Sequence, residues 1–209
     1  MNEWKALHNR YKKQDWKDRP SLFAQTALPH FKKQGTILEL GAGLGQDGRY
    51  FAEHGLDVIT TDLEIENIIT MRETLPAEIQ QHFCAQHIDL REPLPFGDAS
   101  LEGVYAHLSL HYFDKATTKQ IFDEIYRVLQ PGGIFAFFVN STSDPQYNTG
   151  KKLEDDYFYI DDKPKRFFTV ESAKAFARRF TPILLDNEGE TYKDQAKGVH
   201  NLIRFIGKK

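Results

Sequence analysis

The sequence has little cysteine, and it contains no internal repeat and no low-complexity tract. Cys84 is the single cysteine among 209 residues, so an intrachain disulfide is excluded and a reducing compartment fits the composition. Because Cys84 lies in HFCAQHI, a stretch with the pattern of a strand, we predict a buried small hydrophobic side chain rather than a nucleophile. The length suffices for one sizeable domain with its own core.

Long apolar runs and an excess of charge of one sign are also missing. No run approaches the about eighteen residues of a membrane span, and MNEWKALHNRYKK lacks the apolar core of a secretory signal. A net charge of −3 provides no basic field for nucleic acid or an anionic membrane. Residues 1–20 hold six Lys/Arg against three Asp/Glu, which we interpret as a solvated helix face rather than a polyanion site. We expect a cytoplasmic protein, monomer or homodimer, that binds neither membrane nor nucleic acid.

Short apolar runs alternate with helical patterns through the middle of the chain. The runs predict strands at 36–40, 56–62, 82–88, 100–106 and 134–139. Helices are predicted at 46–54, at 64–75 and before QPGG at 130–133, where Ile121, Ile125, Val128 and Leu129 share one helical face. This alternation indicates an α/β fold with a doubly wound, mostly parallel sheet and helices on both faces.

The C-terminal third departs from this rhythm. Residues 141–168 are polar and carry prolines and several aromatic side chains, which we interpret as an excursion over the sheet edge. A helix is predicted over 169–180 with Thr169 as its N-cap, and strands at 181–186 and 200–206. No convincing helix separates these two strands, so we expect a hairpin-like link and an antiparallel last strand, the seventh of the sheet.

The stretch LELGAGLGQDGRYFAEHG, residues 38–55, places five glycines after an apolar run. From Gly43, GLGQDG fits the G-x-G-x-x-G string of dinucleotide-binding proteins; from Gly41, directly after the strand, Gln46 occupies the last glycine position. Asp62, at the end of the second strand, is well placed to accept hydrogen bonds from ribose hydroxyls. These residues indicate a nucleoside cofactor without specifying which one.

ELGAGLG at 39–45 resembles the acidic-x-G-x-G-x-G motif of the class I S-adenosylmethionine-dependent methyltransferases. The resemblance continues through TTDLE at 60–64, HIDLREPLPFGDASLEGVYAHLSLHYF at 87–113 and RVLQPGGIFAFF at 127–138. RYKKQDW and KRFFTVESAKAF are similar to the small-molecule branch, of the quinone-biosynthesis and tellurite-resistance type. The fold implied is a Rossmann-like methyltransferase fold, and the cofactor implied is S-adenosylmethionine.

The resemblance also assigns roles to individual residues. Gly41, Ala42 and Gly43 are expected at the methionine and ribose part, with Glu39 beneath the amino group. Asp62 would bind the ribose hydroxyls, and the adenine would contact Leu63, Asp89 and Leu90. Ala106, at the end of the fourth strand, is also expected to bind the cofactor. As an alternative, Asp89 is a turn residue after the third strand.

The domain organisation follows from these assignments. We expect one methyltransferase domain over 1–209. Its parts are an N-terminal helical cap at 1–34, a cofactor-binding core at 35–140, a substrate-side excursion at 141–168, and the last helix with the terminal hairpin at 169–209.

Two histidines follow the fourth strand, where ligands of open α/β sheets bind. His107 and His111 have the i, i+4 spacing of metal ligands, but no third ligand is near in sequence, so no metal is expected. One of them, His111 ahead of His107, is the candidate general base. The alternative is structural: His107 caps the strand and His111 packs under Tyr112.

Aromatic side chains and one arginine are the candidates for acceptor binding. Aromatic faces favour a sulfonium or a flat acceptor, although each is also an ordinary packing residue. Arg166, beside two phenylalanines, is a candidate for an acidic acceptor or a solvated charge. The aromatic candidates are Tyr11, Trp16, Tyr147, Tyr157 and Tyr159.

The leading interpretation is a methyltransferase acting on a small molecule by in-line methyl transfer. A nucleic-acid methyltransferase is the second, but AHLSLHYF stands where amino-methylating members have Asn/Asp-Pro-Pro-aromatic, and the net charge is acidic. A cofactor-binding regulatory protein without turnover is the third, and a nicotinamide oxidoreductase the fourth. The acceptor and the attacked atom are not specified by the sequence.

Overall fold

The computed structural model describes residues 3–192 and 202–209. The strands of the described residues are β1 Thr36–Leu40, β2 Asp57–Asp62, β3 Phe83–His87, β4 Leu101–His107, β5 Leu129–Val139, β6 Lys151–Glu154, β7 Tyr157–Ile160, β8 Lys163–Arg166, β9 Thr181–Gly189 and β10 Leu202–Lys208. Their helices are α1 Glu3–Tyr11, α2 Leu22–Ala27, α3 Gln46–Glu53, α4 Glu66–Thr74, α5 Ala77–Gln80, α6 Lys115–Val128 and α7 Val170–Phe176. None of these helices has the length and apolarity needed to cross a membrane.

Seven strands form the main sheet in the order β3-β2-β1-β4-β5-β10-β9. The pairs among β1 to β5 are parallel, whereas β10 is antiparallel to both β5 and β9. The predicted doubly wound, mostly parallel sheet with an antiparallel last strand is therefore confirmed. The predicted hairpin link and the first residues of the predicted strand 200–206 fall partly in 193–201, outside the described residues.

Alternating residues of β5 enter two separate cores, one on each face of the sheet. Phe137 packs in the cluster that includes Phe122 of α6, and Phe138 packs in the cluster that includes Phe23 of α2. Because side chains alternate across a strand, an unbroken apolar run is needed when helices cover both faces. This explains why all residues from Ile134 to Val139 are buried.

The strand order places a crevice at the carboxyl ends of the central strands. From β1 the chain moves outward to β2 and β3, and it then returns to the other side of β1 as β4. The connections therefore diverge between β1 and β4, the position at which ligands of open α/β sheets bind. The loops after β1, β2 and β4 all open at this edge.

The excursion contains regular structure that the sequence analysis did not predict. Strands β6, β7 and β8 form a small antiparallel sheet, with a core of Phe158, Ile160 and Phe167. This sheet is attached to the segment after β4, because the hydroxyl of Tyr157 donates to the Tyr112 carbonyl at 3.2 Å. The excursion therefore lies beside the crevice.

Two local predictions have opposite outcomes. Thr169 is the N-cap of α7, and its side chain and that of Ser172 form a reciprocal capping box, as the N-cap assignment predicts. The prediction that Cys84 is buried is wrong, because its side chain is exposed. Strand β3 is the edge of the main sheet, so only the face that carries Phe83 is covered.

The aromatic core on the α6 face gives a stability prediction. Phe137 is completely buried, with ring centroids 4.8 Å from Phe205 and 5.2 Å from Phe122. Phe137→Ala is expected to lower the free energy of unfolding by about 3–5 kcal/mol, because the close-packed rings cannot fill the cavity. Ile183→Ala, at a position that is 50% exposed, is the control and should cost less than about 0.5 kcal/mol. Equal losses in urea unfolding would contradict this assignment of the core.

Candidate functional site

The glycine loop after β1 turns through three left-handed residues. The φ angles are +68° at Gly41, +62° at Gly43 and +83° at Gly45, a region that side chains with a Cβ rarely occupy. A Cβ added at Gly41 would also collide with the side chain of Ser109 in the loop after β4. Gly45 then serves as the N-cap of α3. The loop therefore brings bare backbone to the carboxyl end of β1.

Asp62 holds this loop against the end of β2. Its Oδ2 accepts from the Gly43 N–H at 2.9 Å, and its Oδ1 accepts from the Glu64 N–H at 2.9 Å. The neighbouring Thr61 carbonyl accepts from the Ala42 N–H at 2.8 Å. Asp62 is buried at 9% exposure, yet it lines the cleft and retains acceptor capacity, since each carboxylate oxygen has two lone pairs.

A cleft of about 190 Å³ lies over this loop. One part of its lining comes from the glycine loop and the loops after β2, β3 and β4, and the other part from the N-terminal segment with Thr191 and Tyr192. The lining residues are Trp4, Leu7, His8, Tyr11, Trp16, Arg19, Ser21, Leu22, Gly41, Ala42, Gly43, Leu44, Gln46, Asp62, Leu63, Ile88, Leu90, His107, Leu108, Ser109, Tyr112, Phe113, Thr191 and Tyr192.

Helix α1 contributes one complete face to the cleft. Trp4, Leu7, His8 and Tyr11 follow the i, i+3, i+4, i+7 spacing, and all four line the cleft. The Trp4 ring packs on Tyr112 with centroids 4.6 Å apart, and His8 Nδ1 is 3.1 Å from Nδ2 of Asn67 in α4. Burial lowers the pKa of His8, with Asp62 and Glu64 acting in the opposite sense, so the ring is neutral near pH 7.

A buried hydrogen-bond network anchors the segment between α1 and α2. Asp47, in the first turn of α3, accepts from the Ser21 N–H at 2.6 Å, from Ser21 Oγ at 2.7 Å and from the Tyr105 hydroxyl at 2.7 Å. Ser21 Oγ also accepts from the Ala24 N–H at 2.9 Å and thereby caps α2. Burial and Asp47 raise the pKa of Tyr105, which therefore stays protonated and donates. The network fixes Ser21 at the wall of the cleft.

Glu39 lies behind the glycine loop rather than in the lining. Its side chain is 2% exposed and packs against Gly48 of α3 and Thr60 of β2. A Cβ at Gly48 would collide with the side chains of Glu39 and Thr60. Burial, then the charges of Asp47 and Asp62, raise the pKa of Glu39 well above its ordinary value. The expectation that Glu39 lies beneath the amino group of the cofactor stays a prediction.

Nine of the residues predicted for the site meet in this one cleft. Six belong to the predicted cofactor set, and three to the predicted catalytic or acceptor set. They are Gly41, Ala42, Gly43, Asp62, Leu63 and Leu90, together with His107, Tyr11 and Trp16.

The two histidines after β4 have different environments. His107 lines the cleft, and its ring is stacked on Phe138 with centroids 5.2 Å apart and an angle of 5° between the planes. His111 is 2% exposed, packs on the Tyr112 ring at 4.1 Å and does not line the cleft. Of the two candidate bases, His107 is therefore the one whose side chain reaches the cleft, although the sequence analysis placed His111 ahead. Among the described residues, no group of three His, Cys, Asp or Glu could hold a metal ion.

Besides Glu39, two predicted cofactor residues lie outside the cleft lining. Asp89 is paired with Arg91, whose Nε is 2.9 Å from Oδ1, and this hydrogen bond lowers the pKa of Asp89. The turn-residue alternative describes this arrangement, since Asp89 Oδ1 also accepts from the Arg91 N–H at 3.0 Å. Ala106 is completely buried in the core on the α6 face, because β4 is central in the sheet.

The predicted acceptor residues of the excursion lie outside the lining as well. The Tyr147 hydroxyl donates to Asp156 at 2.8 Å, and the Tyr157 hydroxyl donates to a backbone carbonyl. Arg166 is 4% exposed, pairs with Glu154 at 2.5 Å and donates to the Phe113 carbonyl at 3.1 Å. These side chains hold the small sheet together, whereas Tyr159 is 46% exposed on its surface.

Sequence reasoning missed most of the N-terminal wall. The regular spacing of Trp4, Leu7, His8 and Tyr11 was a detectable signal for one functional helix face. Ser21 before LFAQTA was a detectable N-cap signal for α2. No local pattern marks Arg19 or Tyr192 as cleft residues, because only the tertiary structure brings them together.

Comparisons with known proteins agree with this geometry. Residues 38–137 match the family model described as methyltransferase domain. Malonyl-[acyl-carrier protein] O-methyltransferase of Enterobacter lignolyticus is 26% identical over 164 residues, which are 78% of this chain and 60% of that protein. Phosphoethanolamine N-methyltransferase 1 of Triticum aestivum is 27% identical over 164 residues, 78% of this chain and 31% of that protein. The chain thus spans less than two thirds of either relative.

Solved structures show the same fold. The 1,6-didemethyltoxoflavin-N1-methyltransferase of Burkholderia thailandensis, with bound 1,6-didemethyltoxoflavin and S-adenosylhomocysteine, has a TM-score of 0.71 at 20% identity. The alignment covers 99% of this chain and 86% of that one. The chain has the Rossmann-like methyltransferase fold that the sequence predicts. The finer resemblance to the quinone-biosynthesis and tellurite-resistance branch stays a prediction.

The buried Glu39 gives a pH prediction. Its pKa lies above the ordinary value of 4.5, so over this window the folded chain holds a proton that the unfolded chain has lost. Stability attributable to Glu39 therefore falls as the pH rises from 4.5 toward the raised pKa. Glu39→Gln removes this pH dependence. Over this pH range, the free energy of unfolding of the variant should therefore rise relative to that of the wild type by up to about 1.4 kcal/mol per pH unit.

Urea unfolding at a series of pH values measures this difference. Glu78→Gln, at an exposed position of α5, is the matched control. Its free energy of unfolding should change with pH as that of the wild type does. A difference between Glu39→Gln and wild type that is constant with pH would show that Glu39 has no raised pKa.

Proposed function

We propose that this protein is an S-adenosylmethionine-dependent methyltransferase that acts on a small-molecule acceptor. The observation that carries the proposal is the joint placement of the left-handed glycine loop and Asp62 in one cleft at the carboxyl ends of β1, β2 and β4. The methyltransferase-domain match over residues 38–137 supports it.

The residues of the cleft fit the cofactor. Gly41 and Gly43 leave bare backbone where the methionine and ribose part would lie. The Asp62 carboxylate, held by two backbone N–H groups, is oriented to accept from ribose hydroxyls. The apolar side chains of Leu63, Ile88 and Leu90 offer flat walls for an adenine ring. Glu39 would act from behind the loop, where a nearby cation would favour the ionised form of its buried carboxyl group.

A contact between Asp89 and the adenine requires that the adenine compete with Arg91. Its carboxylate is held by Arg91 in the structure, so an adenine amino group would have to compete with a charge-assisted hydrogen bond. A contact of the adenine with the backbone of Leu90, which lines the cleft, needs no competition with Arg91. We therefore place the adenine contact at Leu90 before Asp89.

Alignment and exclusion of water are the main tasks of the chain in this reaction. Bound S-adenosylmethionine supplies an electrophilic methyl group for direct displacement. Helix α1 covers the cleft through the contacts of Trp4 with Tyr112 and of His8 with Asn67, so an acceptor would be enclosed on this side. Holding two reactants in line contributes about 7–11 kcal/mol to such reactions without any covalent participation of the protein.

His107 is the proposed proton acceptor when the attacked atom carries a proton. Its ring lines the cleft at the end of β4, and stacking on Phe138 fixes the orientation of the ring plane. Histidine is the side chain most often used as a general base in proteins. The packed position of His111 outside the lining favours His107 for this role.

The relatives support a small acceptor without specifying the attacked atom. Their names state O-methylation of malonyl-[acyl-carrier protein] and N-methylation of phosphoethanolamine, and the solved structure holds a small heterocycle.

Cofactor binding is tested by calorimetry with S-adenosylmethionine and S-adenosylhomocysteine. Asp62→Asn is expected to weaken binding about 10- to 100-fold, because it removes charged hydrogen bonds to the ribose. Asp57→Asn changes the same residue type at the far end of β2, where Asp57 contacts His82 at 2.7 Å, and should bind like the wild type. Failure of the wild type to bind, or equal affinities for both variants, would refute the proposal.

Turnover is tested through release of S-adenosylhomocysteine with a panel of hydroxyl, thiol, amine and quinone acceptors. With an acceptor that loses a proton, His107→Gln should lower kcat about 10²- to 10⁴-fold and leave the affinity for S-adenosylhomocysteine unchanged. His111→Gln, which removes the neighbouring histidine outside the cleft, should retain kcat. Equal kcat losses in both variants would remove His107 from the role of base.

A further inference from the structure

We infer that the acceptor is a flat molecule with a negatively charged group and that Arg19 selects it through that group. The inference rests on the proposed function and adds the acceptor class to it. Arg19 and an aromatic wall occupy the N-terminal part of the cleft, whereas Asp62 and the glycine loop form the proposed cofactor part.

The acceptor part of the cleft is walled by flat side chains. Ring centroids lie 4.6 Å apart for Trp4 and Tyr112, and 5.3 Å apart for Tyr11 and Trp16. Tyr192 completes this wall at the end that Arg19 occupies. Aromatic faces pack best on another planar group, at centroid distances of about 4.5–7 Å. The wall therefore favours a planar acceptor over a branched aliphatic one.

Arg19 is the one lysine or arginine among the described residues that line the cleft. Its guanidinium lies 5.6 Å from the Tyr192 ring centroid, and its side chain has no acidic partner within ion-pair distance in the described part of the chain. Arg166, the arginine that the sequence offered for an acidic acceptor, is already paired with Glu154. A planar guanidinium with open donors matches a carboxylate or another planar anion.

Charge around the cleft mouth has the opposite sign to the chain as a whole. Residues 1–20 carry six Lys/Arg and three Asp/Glu in a chain with a net charge of −3. The charged residues of a neighbouring groove are Lys12, Lys17, Arg49 and Asp18, of which Asp18 pairs with Lys17 at 2.7 Å, and Leu44 borders both this groove and the cleft. Asp62 is the one acid in the described lining, and backbone N–H groups already bind both its oxygens. An anion is therefore attracted to the mouth despite the acidic surface elsewhere.

Matched acid and amide probes test the inference by equilibrium dialysis in the presence of S-adenosylhomocysteine. The pairs are benzoate and benzamide, 2-naphthoate and 2-naphthamide, and indole-3-acetate and indole-3-acetamide. At least one acid should bind about tenfold more tightly than its amide. Arg19→Gln should abolish this preference, whereas Lys13→Gln, an equal charge change at an exposed position outside the cleft lining, should keep it. Equal binding of acids and amides to the wild type, or binding of none of the six, overturns the inference.

A second measurement separates the acceptor from the cofactor's own carboxylate. Both tryptophans of the chain, Trp4 and Trp16, line the cleft, so tryptophan fluorescence reports its occupation. Arg19→Gln should bind S-adenosylhomocysteine and 5′-methylthioadenosine, which lacks the amino-acid part, as the wild type does. Selective loss of S-adenosylhomocysteine binding would assign Arg19 to the cofactor and overturn the inference. If the wild type binds neither nucleoside, the proposed function itself fails.

Discussion

The bond between the Asp62 carboxylate and the Gly43 N–H is the interaction on which the site depends. It joins the carboxyl end of β2 to the glycine loop after β1, and the second oxygen of the same carboxylate holds the Glu64 N–H. A left-handed loop of glycines has high conformational freedom in the unfolded chain, so its single shape must be imposed by such contacts. The carboxylate is therefore both a support of the loop and a wall of the cleft.

The remainder of the cleft is held from the other side by a buried carboxylate. Asp47 accepts three hydrogen bonds from Ser21 and Tyr105, which connect the N-terminal segment to α3 and β4. A buried carboxylate is tolerated when donors surround it, and its position in the first turn of α3 adds the favourable helix dipole. Through Ser21 this network positions the segment that carries Trp16 and Arg19.

Three acids, Glu39, Asp47 and Asp62, influence one another beneath the loop, and this proximity has a cost. The charges of Asp47 and Asp62 add to burial in raising the pKa of Glu39, so the folded chain disfavours ionised Glu39. A cation that entered the cleft would relieve this repulsion, which is consistent with the proposed sulfonium cofactor. Functional sites commonly keep such locally unfavourable arrangements because the surrounding fold is stable enough to maintain them.

Sequence alone determined the sheet, because buried parallel strands need unbroken apolar runs such as IFAFFV and helices need periodic ones such as that of Ile121 to Val128. It also determined the glycine loop and Asp62, since strand-end chemistry is local. Only the tertiary structure decided which histidine at the end of β4 and in the following loop faces the cleft. His107 lines the cleft and His111 does not. It likewise paired Arg166 internally and left Arg19 at the mouth. Both outcomes depend on contacts between segments far apart in the chain. The sequence pattern does not show which polar side chains are paired by such contacts.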